Sequence, residues 1–119
     1  MVKRALFLAA LALCASCQKY AEFRDFMALR DQVAAQFNEK QVYVNYSRGA
    51  IVSVQFINSP LLTAAPEEKQ KRADDVAAFV ANHCKYPVNR VTTFFVSRSA
   101  STGVSVKMSN MYIGHLPKR

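Results

Sequence analysis

Acidic side chains stop at Asp75. From Val76 to the end of the chain there is no aspartate or glutamate, while Lys85, Arg90, Arg98, Lys107, Lys118 and Arg119 remain. Between Cys17 and Asp75 basic and acidic side chains balance, so the basic excess lies in the second half and near the N-terminus. Glycine is scarce: Gly49, Gly103 and Gly114 stand alone, which excludes a glycine-rich phosphate loop. Three cysteines, Cys14, Cys17 and Cys84, are too few for a disulfide framework. No apolar run after the N-terminal segment is long enough to span a bilayer, and no internal repeat or low-complexity tract interrupts the chain.

The N-terminal segment carries the strongest signal. Lys3 and Arg4 precede an apolar run from Ala5 to Leu13. As a helix that run rises only about 13 Å, against about 30 Å of hydrocarbon core, so it has the layout of an export signal rather than of a span. Ala15 and Ser16 lead to Cys17. This resembles the lipobox of bacterial lipoproteins, in which small residues precede a cysteine that becomes the diacylated N-terminus. Cys14 stands where that family prefers an aliphatic residue, and Leu13 lies one position further back. The resemblance implies a signal peptide over 1–16, lipidation (a palmitate-type chain) on Cys17, and a mature domain over 17–119. It places the protein in the bacterial cell envelope, anchored to a membrane and facing the periplasm. A thioether-linked diacylglyceryl group plus an N-acyl chain supplies the several chains that stable anchoring needs. Cleavage near Ala15 without lipid, or a retained N-terminal helix, are the alternatives.

About 100 residues beyond the signal suffice for one small domain with one core. Lys19 to Glu39 reads as a helix, with Phe23, Phe26, Met27, Val33, Ala34 and Phe37 at three- and four-residue spacing and Arg30 as the one break in the stripe. Gln41–Tyr46 and Ala50–Ile57 alternate and are joined by Ser47-Arg48-Gly49, which predicts a hairpin. Pro60 ends the second strand. Pro66 opens another helix whose buried stripe is Ala73, Val76, Ala77, Val80 and Cys84, with Glu67 and Glu68 placed to pair with Lys71 and Arg72. Val91–Ser97, a polar loop over Arg98–Gly103, and a strand from Val104 through Met108 toward Ile113 predict a second hairpin. The expected fold class is α+β: helix-hairpin-helix-hairpin, a four-stranded antiparallel sheet with two helices on one face. The far face would show Tyr43, Asn45, Ile51, Ser53, Gln55, Ser105, Lys107 and Ser109. From Val42 to Val96 this order is similar to that of BON domains, small periplasmic modules that associate with membranes through phospholipid, and Gly49 stands where a turn glycine is wanted.

Catalytic chemistry finds little footing. His83 and Cys84 are neighbours, but adjacent helical residues do not face each other. Asp74-Asp75 and Glu67-Glu68 read as a solvated helix face. Cys84 reads as a buried thiol. Were Cys17 not lipidated, a Cys17–Cys84 disulfide or a dimer-forming thiol would be open to it. The sequence therefore points to a non-catalytic binding or structural module, without a cofactor, whose partner is another envelope protein or an anionic envelope component. The basic-half residues expected to carry binding are Arg90, Arg98 and Lys107. Nucleic acid is disfavoured by the export signal and by the lack of a basic cluster interleaved with aromatics. The alternative from another class is a periplasmic metal-binding protein using His83, Cys84, Met108, Met111 and His115, soft ligands of the kind copper accepts.

Overall fold

The computed structural model describes the backbone of residues 2–99 and 105–117, and the side chains of residues 19–98 and 110–117. The side chains of Cys17, Lys107 and Met108 lie outside the described ones. Helix α1 runs Val2–Phe37, strands β1 Val42–Ser47 and β2 Ile51–Ile57 follow, then a 3-10 turn Pro60–Thr63, helix α2 Pro66–His83, and strands β3 Arg90–Ser99 and β4 Ser105–Gly114. Among the described residues no helix is long and apolar enough to cross a membrane.

Helix α1 stops two residues short of the expected Glu39. Asn38 takes a left-handed φ of 53°, the Glu39 N–H donates to the Ala34 carbonyl at 2.9 Å, and the Asn38 N–H donates to Ala35 at 3.4 Å. This Schellman cap satisfies the last carbonyls and turns the chain into β1. Helix α2 opens at Pro66 as expected. It closes at His83, so Cys84 is its C-cap residue, with extended backbone and an N–H bonded to Val80. The expectation that Cys84 lies on the helix stripe is thereby corrected.

Both predicted hairpins form: β1 pairs β2 antiparallel and β3 pairs β4 antiparallel. The expectation of an all-antiparallel sheet fails at the centre. The order is β1-β2-β3-β4, and β2 runs parallel to β3, with Val52 opposite Val91 and Phe56 opposite Phe95. The reason lies in the crossover. The 18 residues of α2 rise about 27 Å and carry the chain back along the length of β2, so β3 starts from the same end as β2.

The core is the inward sheet face under both helices. Phe26, Leu29 and Val33 of α1 and Val76, Ala77 and Val80 of α2 gather with Val42, Val52, Val54, Phe56, Val91 and Phe95. Phe56 sits at the middle, with Phe37 of α1 edge-on at 6.2 Å and Phe95 stacked at 5.7 Å. Arg72 is drawn into this layer. Its guanidinium lies over Phe37 and Phe56 and meets buried Glu39 at 3.0 Å, and Glu39 in turn accepts from Ser59 Oγ at 2.6 Å. The expected pairing of Arg72 with Glu68 along the helix gives way to a tertiary pair that ties α1's exit to α2. The opposite sheet face exposes Tyr43, Met111 and Ile113, with Phe94 half-buried between them.

Candidate functional site

Arg98 was expected in a loop, but β3 continues through Ser99 and puts it on the sheet. Ser97 opposes Met108 while Arg98 opposes Val106, so Lys107 is the extra residue of a β-bulge. Bulges of this kind re-aim a side chain. Across the sheet, Asn58 takes a φ of 53°, a conformation asparagine tolerates, just past the end of β2. Its side-chain amide donates to the Arg98 carbonyl at 3.1 Å, and its Oδ1 accepts from the Arg98 N–H at 3.0 Å. The Arg98 backbone is thus held on both sides, by the bulge on β4 and by Asn58.

From this fixed base the Arg98 side chain reaches over the outward sheet face. Its guanidinium carbon lies 5.5 Å from the centre of the Tyr43 ring on β1, a cation–π placement. The Nε atom is buried and, among the described residues, has no hydrogen-bond partner. A buried donor without an acceptor is destabilising, so an acceptor brought to it by water or by a ligand is favoured. The space beside it is a cleft of about 400 Å³ at the β1 edge. Arg30, Asp31 and Ala34 of α1 line one wall, and Lys40, Gln41 and Tyr43 line the other. Arg30 is paired to Asp31 at 3.0 Å, and among the described residues Lys40 and Arg98 have no carboxylate partner. Three cations therefore meet one carboxylate, and the cleft suits an anion that can take a planar guanidinium fork.

The sequence-based binding residues are distributed as follows. Arg98 anchors the cleft. Lys107 is next to it along the bulge by backbone position. Arg90 is at the other end of β3, eight residues and about 26 Å away, exposed near the β1–β2 turn. The cations that join Arg98, Arg30 and Lys40, come from the charge-balanced half of the chain. Arg30 carried a readable signal as the break in an apolar stripe. The role of Asn58 carried none, because it rests on a pairing between residues forty apart.

The metal-ligand candidates whose side chains are described stand in separate surroundings. The His83 ring stacks on Phe79 at 4.0 Å, with Nδ1 2.8 Å from the Phe79 carbonyl. Cys84 is a free, half-buried thiol packed against the core. Beside it the Tyr86 hydroxyl donates to Asp25 at 2.9 Å, and burial together with that carboxylate holds the Tyr86 phenol above its usual range. His115 bonds Asp74 through both its backbone N–H and Nδ1, at 2.9 and 2.8 Å. Met111 is exposed on the opposite sheet face. Among the described residues no group of three or more His, Cys, Asp or Glu side chains is placed to hold a metal.

Asp74 also accepts from the Gln70 amide at 3.0 Å. Burial alone would push its carboxyl up, but the His115 N–H, the His115 ring and the Gln70 amide together hold it below the ordinary range. These bonds close the C-terminal end of β4 onto α2, on the far side of the sheet from the Arg98 cleft. Comparison of the chain with protein families, with curated proteins and with solved structures returns no match.

Proposed function

We propose that this chain is a lipid-anchored lipoprotein of the bacterial cell envelope, whose small α+β domain binds an anionic envelope component or another envelope protein without catalysing a reaction. The address rests on Lys3 and Arg4, the short apolar run and Cys17. The resemblance to BON domains is one of element order and carries no function. The binding role rests on one observation above the others: Arg98, held by Asn58 and the β-bulge, presents a guanidinium whose buried Nε lacks an acceptor among the described residues, in a cleft with more cations than carboxylates.

Two measurements test the two halves of this reading. The intact mass of protein purified from bacterial membranes should match cleavage before Cys17 plus three acyl chains, and Cys17→Ser should lack them. An unacylated parent in the soluble periplasm would overturn the anchor. For binding, the Cys17→Ser chain should associate with vesicles containing anionic phospholipid at low salt, or with an acidic ligand, and Arg98→Glu should weaken association more than Arg90→Glu does. Equal effects of the two reversals would remove the cleft from the reading.

A further inference from the structure

The Arg98 cleft has a neighbour along β1. A second cleft of about 450 Å³ lies further down the same strand, between Phe23 and Phe26 of α1 and Val44, Asn45 and Tyr46 of β1. Residues of both sheet faces line each cleft, which sets the pair along the free edge of β1.

The register decides which main-chain groups face that groove. The Ile57 N–H donates to the Gln41 carbonyl at 3.0 Å, so Gln41, Tyr43 and Asn45 are the residues that exchange bonds with β2. The N–H and C=O groups of Val42, Val44 and Tyr46 therefore point away from β2. Among the described residues no side chain bonds to them. β1 reads VYVNYS, six residues with no proline and no charge, and its pairing with β2 has no bulge. Those are the devices by which exposed edges are ordinarily blunted.

We infer that the groove takes an extended acidic segment of another envelope protein, which pairs with β1 as an additional edge strand. The inference rests on the binding-module reading above and specifies its ligand. Main-chain pairing would come from Val42, Val44 and Tyr46, as in other strand additions. Charge orients the segment: Arg98, Lys40 and Arg30 face one carboxylate at one end, whereas Lys19 and Glu22 offset each other at the Phe23 end. The segment thus places a carboxylate beside Arg98, and the other end of the groove favours apolar side chains against Phe23 and Phe26. A second copy of this chain fits less well, since β1 itself brings no carboxylate to the partner's Arg98. A phospholipid headgroup would engage Arg98 but leave the strand edge unused.

The test uses the full-length chain in detergent micelles and ten-residue peptides of alternating valine and threonine, with one glutamate moved through each position. The expected result is binding that depends on where the glutamate stands, slowed hydrogen exchange at the Val42 and Val44 amides, and an affinity loss of about tenfold on N-methylating a pairing peptide amide. Arg98→Glu should weaken the best peptide by about tenfold or more. Val44→Pro should abolish binding without breaking a bond to β2, since the Val44 N–H points outward. The N-methylated peptides make the same test on the unaltered protein. Peptide binding that needs Arg98 but tolerates N-methylation overturns strand addition and leaves the anion cleft standing. No peptide binding, with Arg98-dependent binding to anionic vesicles, makes a lipid headgroup the ligand and overturns the inference alone. A dimer that Val44→Pro dissolves puts a second copy in the groove and also overturns it. Indifference of both probes to Arg98→Glu overturns this inference and the binding reading together.

Discussion

At the β4 edge, α2 comes down onto the outer strand. Gly114 permits this, because a Cβ there would run into the Ala73 carbonyl oxygen and the Ala77 side chain. The Gln70 amide donates to the Ile113 carbonyl at 2.9 Å, and Asp74 accepts from the His115 N–H, so helix side chains take up main-chain groups at the C-terminal end of the strand. At the β1 edge, α1 packs its Phe26, Leu29 and Val33 into the core but sends no bond to the strand's edge among the described residues. A groove remains there with Arg98 at one end. The same sheet is clamped by helix side chains at the C-terminal end of β4, whereas no such clamp reaches β1 among the described residues. An edge left open without proline, charge or bulge invites pairing, which makes it the natural place to look for a partner.

The comparison presumes that the two edges belong to one cooperative unit, and Phe56 is where that is broken most strongly. It is fully buried between Phe37 on the α1 side and Phe95 on the other. Phe56→Ala should lower stability by about 3–5 kcal/mol, with both edges losing hydrogen-exchange protection in a single denaturant transition. Two transitions would mean that the edges fold separately.

The clamped end of β4 should be intolerant and exposed β1 permissive. Gly114→Val should destabilise by about 1–3 kcal/mol through overpacking against α2, whereas Asn45→Val on exposed β1 should stay within about 0.5 kcal/mol, both read by chemical denaturation. Equal losses would erase the contrast. A sharper version concerns two polar atoms without a partner among the described residues. Thr93 Oγ1 is sealed in the core, while Arg98 Nε lies at the cleft. Thr93→Val should raise stability by about 1 kcal/mol, because a buried hydroxyl without a partner is removed at nearly constant volume. A loss would show that Thr93 has a partner after all.

The smallest effect concerns the seal itself. Asp74 is held below the ordinary carboxylate range, so the stability it lends is fully present above that range and is lost as pH falls through its lowered value, below about pH 4. Exchange of the His115 amide, compared with that of Tyr112, should therefore speed up on acidification. Asp74→Asn should remove that pH dependence, and an unchanged profile in the variant would detach the clamp from Asp74.

Much of this fold was readable from short-range pattern. Pro66 and the spacing of Ala73, Val76, Ala77 and Val80 placed α2, and alternation over 41–46 and 50–57 placed the first hairpin within a residue or two. Helix ends were less legible: the exit at Asn38 depends on a left-handed residue, and Cys84 looked like one more turn of an apolar stripe. The reach of β3 through Arg98 was hidden because Arg98 and Ser99 look like loop residues, and only pairing to β4 and the Asn58 clamp make them strand. The site was half visible. Arg98 was singled out for its charge, but the grouping with Arg30 and Lys40 depends on how α1 lies along β1.

What the sequence determined alone are the features that act over a few residues: the apolar run that is too short to span, the cysteine after small residues, the periodicities that make helices and strands, and the one-signed charge of the second half. Tertiary structure decided the parallel centre of the sheet, the burial of Arg72 against Glu39, and the difference between the two edges. Those depend on which groups far apart in the chain compete for the same buried space and the same hydrogen bonds. Local pattern carries no record of that competition.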